Sequence, residues 1–314
     1  MSPALALPVF AVSAAVTLGA SAFFADKLDH IGPRLGLPES VVGLLTAVAA
    51  DTPEIASAIV ALLAGDHEAS LGVVVGSNVF NLAAMIGLSA LLAGSVVVGR
   101  RALAIEGTVN LLALLVTVGL VAGVFSAPVA LLLLLGVVAP YLLVTLRREP
   151  AAHHAHRPHH HLERGALLRP IALTIPAVVL ILAGATGMVK AALALARHWG
   201  ISEAVVGLFV LAVVTSLPNA FTAVRLGLAG RGEALVTETF ASNTINLTAG
   251  VLVPALFVAV AGTGGGLGLD LAWLVGMTVA TLGLLAAPRG LGRAGGGLLV
   301  AGYAGFVAVQ LAVG

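Results

Sequence analysis

The sequence predicts an all-α polytopic membrane protein: ten transmembrane helices arranged as two inverted five-helix repeats, with helices two and seven broken. Three observations carry this expectation. The 314 residues are 60% hydrophobic and only 9% charged, with a mean hydropathy of +1.12, far from the composition of soluble domains. Apolar runs of about 20 residues, the length one helix needs to cross the hydrocarbon layer, recur ten times. One polar motif occurs twice at a fixed offset of 165 residues.

The ten runs lie roughly at 4–24, 39–64, 70–92, 103–124, 128–146, 171–190, 203–229, 234–261, 269–287 and 297–313. Backbone groups in lipid must be satisfied within the segment, and no alternating ten-residue pattern suggests a barrel, so these runs are read as helices. The segment 1–24 lacks a basic start and continues as an ordinary first span, so no cleavable signal is expected. With residue 1 outside, thirteen of the fifteen Lys and Arg residues fall on or near the cytoplasmic side, and only Lys190 and Arg197 fall outside. Both termini are therefore expected to be extracytoplasmic, in an integral cell (inner) membrane protein.

The domain division follows. Residues 1–146 form the first half, with its repeat at about 39–92; residues 170–314 form the second, with its repeat at about 203–261. Residues 147–169 are read as a cytoplasmic linker, charged and rich in histidine at 153, 154, 156, 159, 160 and 161. That cluster is read either as a weakly basic tether or as a transition-metal or pH-responsive segment.

The duplicated motif runs Thr52-Pro53-Glu54 then Gly76-Ser77-Asn78-Val79-Phe80-Asn81, and again Ser216-Leu217-Pro218-Asn219 then Ala241-Ser242-Asn243-Thr244-Ile245-Asn246. Pro53/Pro218, Gly65/Gly230, Ser77/Ser242, Asn78/Asn243 and Asn81/Asn246 all keep the same offset. The copies sit five helices apart, an odd number, so the second runs upside down. Inverted repeats with Pro- and Gly-interrupted helices point to a site near the bilayer midplane. Kept for packing alone, such a duplication would not need acids at mid-membrane.

The residue types indicate what such a site would hold. Pro53 and Pro218 each remove a backbone donor and crowd the carbonyl one turn back, so both helices are expected to open there. Asp51 and Glu54 are three apart, and Ser77/Asn81 and Ser242/Asn246 are four apart, spacings that share a helix face. Glu238 extends the last of these faces by one turn. Carboxylates, amides, hydroxyls and freed carbonyls, without sulfur or histidine, suit a hard cation such as Ca²⁺ or Na⁺.

These residues resemble the sodium/calcium exchanger family, in the wider cation/Ca²⁺ antiporter group with its two inverted α-repeats. The resemblance implies ten helices in two inverted halves and antiport by alternating access, Ca²⁺ being exported as Na⁺ or H⁺ enters. It makes Glu54 the first-repeat ligand with Thr52, Ser77 and Asn81 beside it, and matches Thr215, Ser216, Ser242 and Asn246 to liganding positions of the second. Two residues depart from the family pattern: Asn219 stands where Glu is usual, and Asn246 where Asp is often found. The first repeat is one residue shorter before Pro53, which puts Asp51 at a place usually neutral. Asp51 either restores the charge missing at Asn219 or caps the helix that follows it; Glu238 is a second candidate for restoring that charge, or an interface residue.

Other classes fare worse. The chain has no cysteine, no nucleotide loop, no Ser/His/Asp spacing at the membrane face and a formal net charge of +1. No enzyme, no cofactor and no nucleic-acid partner are therefore expected. The expected partners are inorganic cations and the lipid bilayer. The alternatives kept open are a proton-coupled or otherwise selective exchanger and a non-transporting sensor or scaffold on the same fold.

Overall fold

A computed structural model describes residues 1–34, 47–147, 164–258 and 265–313. In chain order the helices are α1 Pro3–Arg34, α2 Thr52–Leu63, α3 His67–Asn81, α4 Ser89–Ala93, α5 Arg100–Val121, α6 Ala127–Arg147, α7 Arg164–Trp199, α8 Glu203–Val205, α9 Ala212–Leu228, α10 Gly232–Leu247, α11 Gly265–Leu285 and α12 Arg293–Val313. Wider π-helical turns join α3 to α4 (Leu82–Leu88) and α8 to α9 (Val206–Leu211), and extend α10 (Thr248–Leu252). The one sheet among the described residues is a two-residue antiparallel ladder, β1 Ser95–Val96 with β2 Leu291–Gly292. The sequence pattern did not anticipate it.

Among the described residues seven helical spans are long and apolar enough to cross a membrane, two of them formed by α3 with α4 and by α8 with α9. Three of the ten expected runs fall short of that measure for separate reasons. The run 39–64 is described only from residue 47, and it is interrupted at Asp51. The apolar part of α6 is the shorter Ala127–Leu143. The third, α10, carries Thr237, Glu238, Thr239, Ser242, Asn243, Thr244 and Asn246 within two to three turns, which is costly in lipid and tolerable only when turned inward.

The span His67–Ala93 is the centre of the bundle, 89% buried. It meets the Val206–Leu211 turn almost backbone to backbone. A Cβ on Gly76 would lie 2.2 Å from the Leu208 carbonyl oxygen, and one on Gly207 would lie 2.4 Å from that of Ala69. Small residues at such crossings give helices the close contact that stands in for a hydrophobic drive inside lipid.

The two repeats also end alike. Gly65 (φ 87°) and Gly230 (φ 71°) terminate α2 and α9 in the left-handed conformation. Each end closes with one bond from the glycine N–H, to Leu62 and Gly227, and one from the next residue, Asp66 to Ala61 and Arg231 to Leu226. This is the same helix stop written twice. The π turns that follow Asn81 and Asn246 are likewise paired.

Some expectations need correction. The segment 147–169 is not all linker: Arg147 ends α6 and Arg164 begins α7, while the histidine cluster lies outside the described residues. Helix seven does not break at Pro218, which sits inside an uninterrupted α9. Proline forfeits one ladder bond, and neighbouring helices can hold the segment together when it is packed.

Candidate cation site

Helix two is interrupted for one residue, at Asp51, whose backbone angles stay helical. Residues 47–50 are helical, Asp51 is a turn, and α2 starts at Thr52 with Pro53 in its first turn. Proline is favoured there because the first-turn N–H groups have no partner within the helix. The Asp51 side chain makes no capping bond to α2, so its capping role is set aside. It points instead across the bundle to the second repeat.

There Asp51 and Glu54 are held in parallel fashion. Asp51 Oδ1 accepts from Ser242 Oγ at 2.6 Å and from Asn219 Nδ2 at 2.8 Å. Glu54 Oε1 accepts from Ser216 Oγ at 3.0 Å and from the same Asn219 nitrogen at 3.3 Å. Both acids are buried, and the second oxygen of each, Asp51 Oδ2 and Glu54 Oε2, is buried without a hydrogen-bond partner. Buried charged oxygens are costly unless something positive meets them. Asn219 therefore presents its NH₂ to the acids, where the sequence suggested a ligand oxygen.

A second group lies where α3 meets α10. Asn81 Nδ2 donates to Asn243 Oδ1 at 3.0 Å and to Ser242 Oγ at 3.4 Å. Ser242 thus links this group to Asp51. Asn78 and Asn243, 165 residues apart, exchange bonds: each side-chain amide donates to the other's backbone carbonyl, at 3.4 and 3.2 Å. Ser77 Oγ, Asn81 Oδ1 and both amide atoms of Asn246 are buried with no partner, so three more oxygens are unclaimed by protein.

The remaining expected residues stand apart. Thr52 donates to the Val48 carbonyl at 2.9 Å and is only partly buried. Thr215 is buried and donates to the carbonyls of Leu211 and Ala212 at 2.9 and 3.1 Å. Glu238 is half-buried, near enough to Asp51 for their charges to interact, and has no hydrogen bond or ion pair among the described residues. Among the described residues no cluster of three or more His, Cys, Asp and Glu forms; the set is two acids among neutral oxygens.

Four polar residues of this region were missed as site residues. Asn78 and Asn243 were visible in the constant offset of the repeat, which marked them as paired positions. Asn110 reaches from α5 to Thr244 Oγ1 at 3.2 Å and to the Phe240 carbonyl at 3.4 Å. Ser57 lies one turn after Glu54, buried and without a partner; its spacing from Glu54 was the available signal. Glu106 stays outside the site and accepts from Tyr141 at 3.0 Å.

Known proteins share this sequence pattern and this fold. The sequence profile described as "Sodium/calcium exchanger protein" matches residues 5–147 and 170–312. The chain is 28% identical to the inner membrane protein YrbG of Escherichia coli over 247 residues, 74% of this chain and 75% of that one. It is 37% identical to human sodium/potassium/calcium exchanger 4 over 76 residues, only 12% of that protein's length. The solved structure of the sodium-calcium exchanger NCX_Mj superposes with a TM-score of 0.67 at 23% identity, covering 98% of this chain and 99% of that one. Native YfkE gives 0.71 at 16% identity, covering 96% and 91%. With two profile matches spanning both halves, the chain belongs to the sodium/calcium exchanger protein family: it is an integral multi-pass membrane protein, a cation antiporter and not an enzyme.

Proposed function

We propose that this protein exports Ca²⁺ in exchange for Na⁺, both ions using one set of oxygens in turn. The observation that carries the reading is the pair of buried acids at the start of α2, Asp51 just before it and Glu54 in its first turn, each held on one oxygen by the second repeat and open on the other. Two carboxylates among neutral oxygens make a hard-cation site, and charge count sets divalent affinity. Asp51 supplies the negative charge that Asn219 lacks. The ligands would be Glu54, Asp51, Ser77, Asn81, Ser216, Ser242 and Asn246, with Asn219 as the donor that sets the spacing of the acids. Thr52, Thr215 and Glu238 would join only if the site rearranges.

Alternating access requires two halves that can expose the ligands to either side. The matched helix stops at Gly65 and Gly230 and the exchanged Asn78/Asn243 bonds support two inverted halves, 1–146 and 170–314, meeting at the site. The distribution of Lys and Arg supports termini on the extracytoplasmic face of an inner membrane. A sensor or scaffold without transport is disfavoured, because Asp51 faces the partners of Glu54.

Flux in proteoliposomes under an imposed Na⁺ or H⁺ gradient, scanning Ca²⁺, Mg²⁺, Mn²⁺, K⁺ and Na⁺, tests the reading. Ca²⁺ movement driven by Na⁺ is expected. Ca²⁺ movement driven only by H⁺ would select the proton-coupled alternative, and no movement under either gradient would overturn antiport.

A further inference from the structure

Well away from the carboxylates, a crevice of about 580 Å³ opens between the first turns of α5 and the end of α11. The β1–β2 ladder creates it by tying the loop before α5 to the loop after α11, Val96 opposite Leu291. Its walls are apolar, formed by Leu103, Gly107 and Leu111 on one side and Leu282 and Leu285 on the other. Its rim is basic. Arg100 lines it, and Arg289 lies between the lining residues Pro288 and Gly290. Both arginines are exposed and make no hydrogen bond or ion pair among the described residues, and no acid lines the crevice. The nearby acid, Glu233, accepts the Gly99 N–H at 3.2 Å.

We propose that this crevice binds an anionic phospholipid, with an acyl chain between α5 and α11 and its phosphate against Arg100 and Arg289. Both walls belong to helices that are long and apolar enough to cross a membrane, which puts the crevice within reach of bilayer lipid. The volume falls within the roughly 300–1,000 Å³ of ligand pockets. Guanidinium groups bind phosphate oxygens in a two-pronged manner, and basic pockets between membrane helices select acidic headgroups. The proposal is independent of which ions are exchanged.

Native mass spectrometry of the full chain in detergent tests it, with phosphatidylglycerol, phosphatidylcholine and sn-glycerol 3-phosphate as probes. Phosphatidylglycerol is expected to bind about tenfold better than phosphatidylcholine, and to weaken roughly fivefold for each arginine removed in Arg100→Ala and Arg289→Ala. Arg231→Ala, a basic change elsewhere, should leave binding unchanged. Thr108→Phe, which fills the crevice without touching its charge, should weaken both lipids. Equal retention of the two lipids, wild-type retention by the double arginine variant, or glycerol phosphate binding as tightly as the lipid would each overturn the proposal.

Discussion

Ser242 donates its hydroxyl to Asp51 at 2.6 Å, joining residues 191 positions apart in the chain. The bond carries the second repeat's motif helix to the acid that begins the first repeat's α2. Because Asn81 reaches the same hydroxyl, Ser242 is the hinge between the carboxylate group and the amide group. Removing it disturbs both.

Ser242→Ala should therefore weaken Ca²⁺ transport more than it weakens the fold. A hydrogen bond to a charged acceptor is worth about 1.5–3 kcal/mol, so a rise of roughly tenfold to a hundredfold in the Ca²⁺ concentration for half-maximal flux is expected. Ser242→Thr, which retains the hydroxyl, should recover most of it. Equal flux in Ser242→Ala and wild type would remove Ser242 from the site.

Asp51→Asn removes one of the two buried carboxylates. Ca²⁺ flux should fall at least tenfold, and Asp51→Asn/Asn219→Glu should recover part of it by moving the charge to the opposite helix. Proteoliposome flux with matched protein density gives the comparison. Intact Ca²⁺ transport in the single variant would show that Asp51 is not a ligand.

The fold was legible wherever apolar length and the repeated offset spoke together. The positions of Gly65 and Gly230, read only as a matched pair, became the same left-handed helix stop. Local rules misjudged Pro218, because the cost of a proline depends on what packs around it, and α9 is held by its neighbours. They could not settle Asp51, whose capping and liganding roles share one sequence signature and differ only in where the side chain points. Asn110 escaped because its relevance lies in its reach from α5 to Thr244 and Phe240 of α10, which spacing along one helix does not encode.

Gly76→Ala should be among the more damaging single-methyl changes in the molecule. The added Cβ would meet the Leu208 carbonyl at 2.2 Å, and neither backbone can move without parting α3 from the Val206–Leu211 turn. Overpacking of this kind costs about 1–3 kcal/mol. A lower melting temperature in detergent is expected, with a similar loss for Gly207→Ala. The two losses should not add in the double variant, since either one already parts the same crossing. Full additivity would mean that the two contacts are independent.

Asp66 gives the protein a pH response outside the membrane spans. Burial, reinforced by the neighbouring Glu203 carboxylate, raises its carboxyl to about 6, against the opposing pull of Arg197 and His67. Arg197 at the end of α7 pairs with Asp66 at 3.7 Å and with Glu203 at 3.1 Å, fastening three elements at one end of the bundle. A folded pKa above the ordinary value of 3.8 means that the folded state holds the proton more tightly than the unfolded chain. Stability owed to Asp66 is then fully present below about 3.8 and is lost as pH rises through about 6. The difference in melting temperature between wild type and Asp66→Asn should fall across that window and flatten above it. Taking the difference cancels the titrating groups that do not interact with Asp66. Arg197→Ala should enlarge the fall, because the cation that offsets the two acids is gone. A difference that grows with rising pH would show that the Arg197 pair, and not burial beside Glu203, dominates at Asp66.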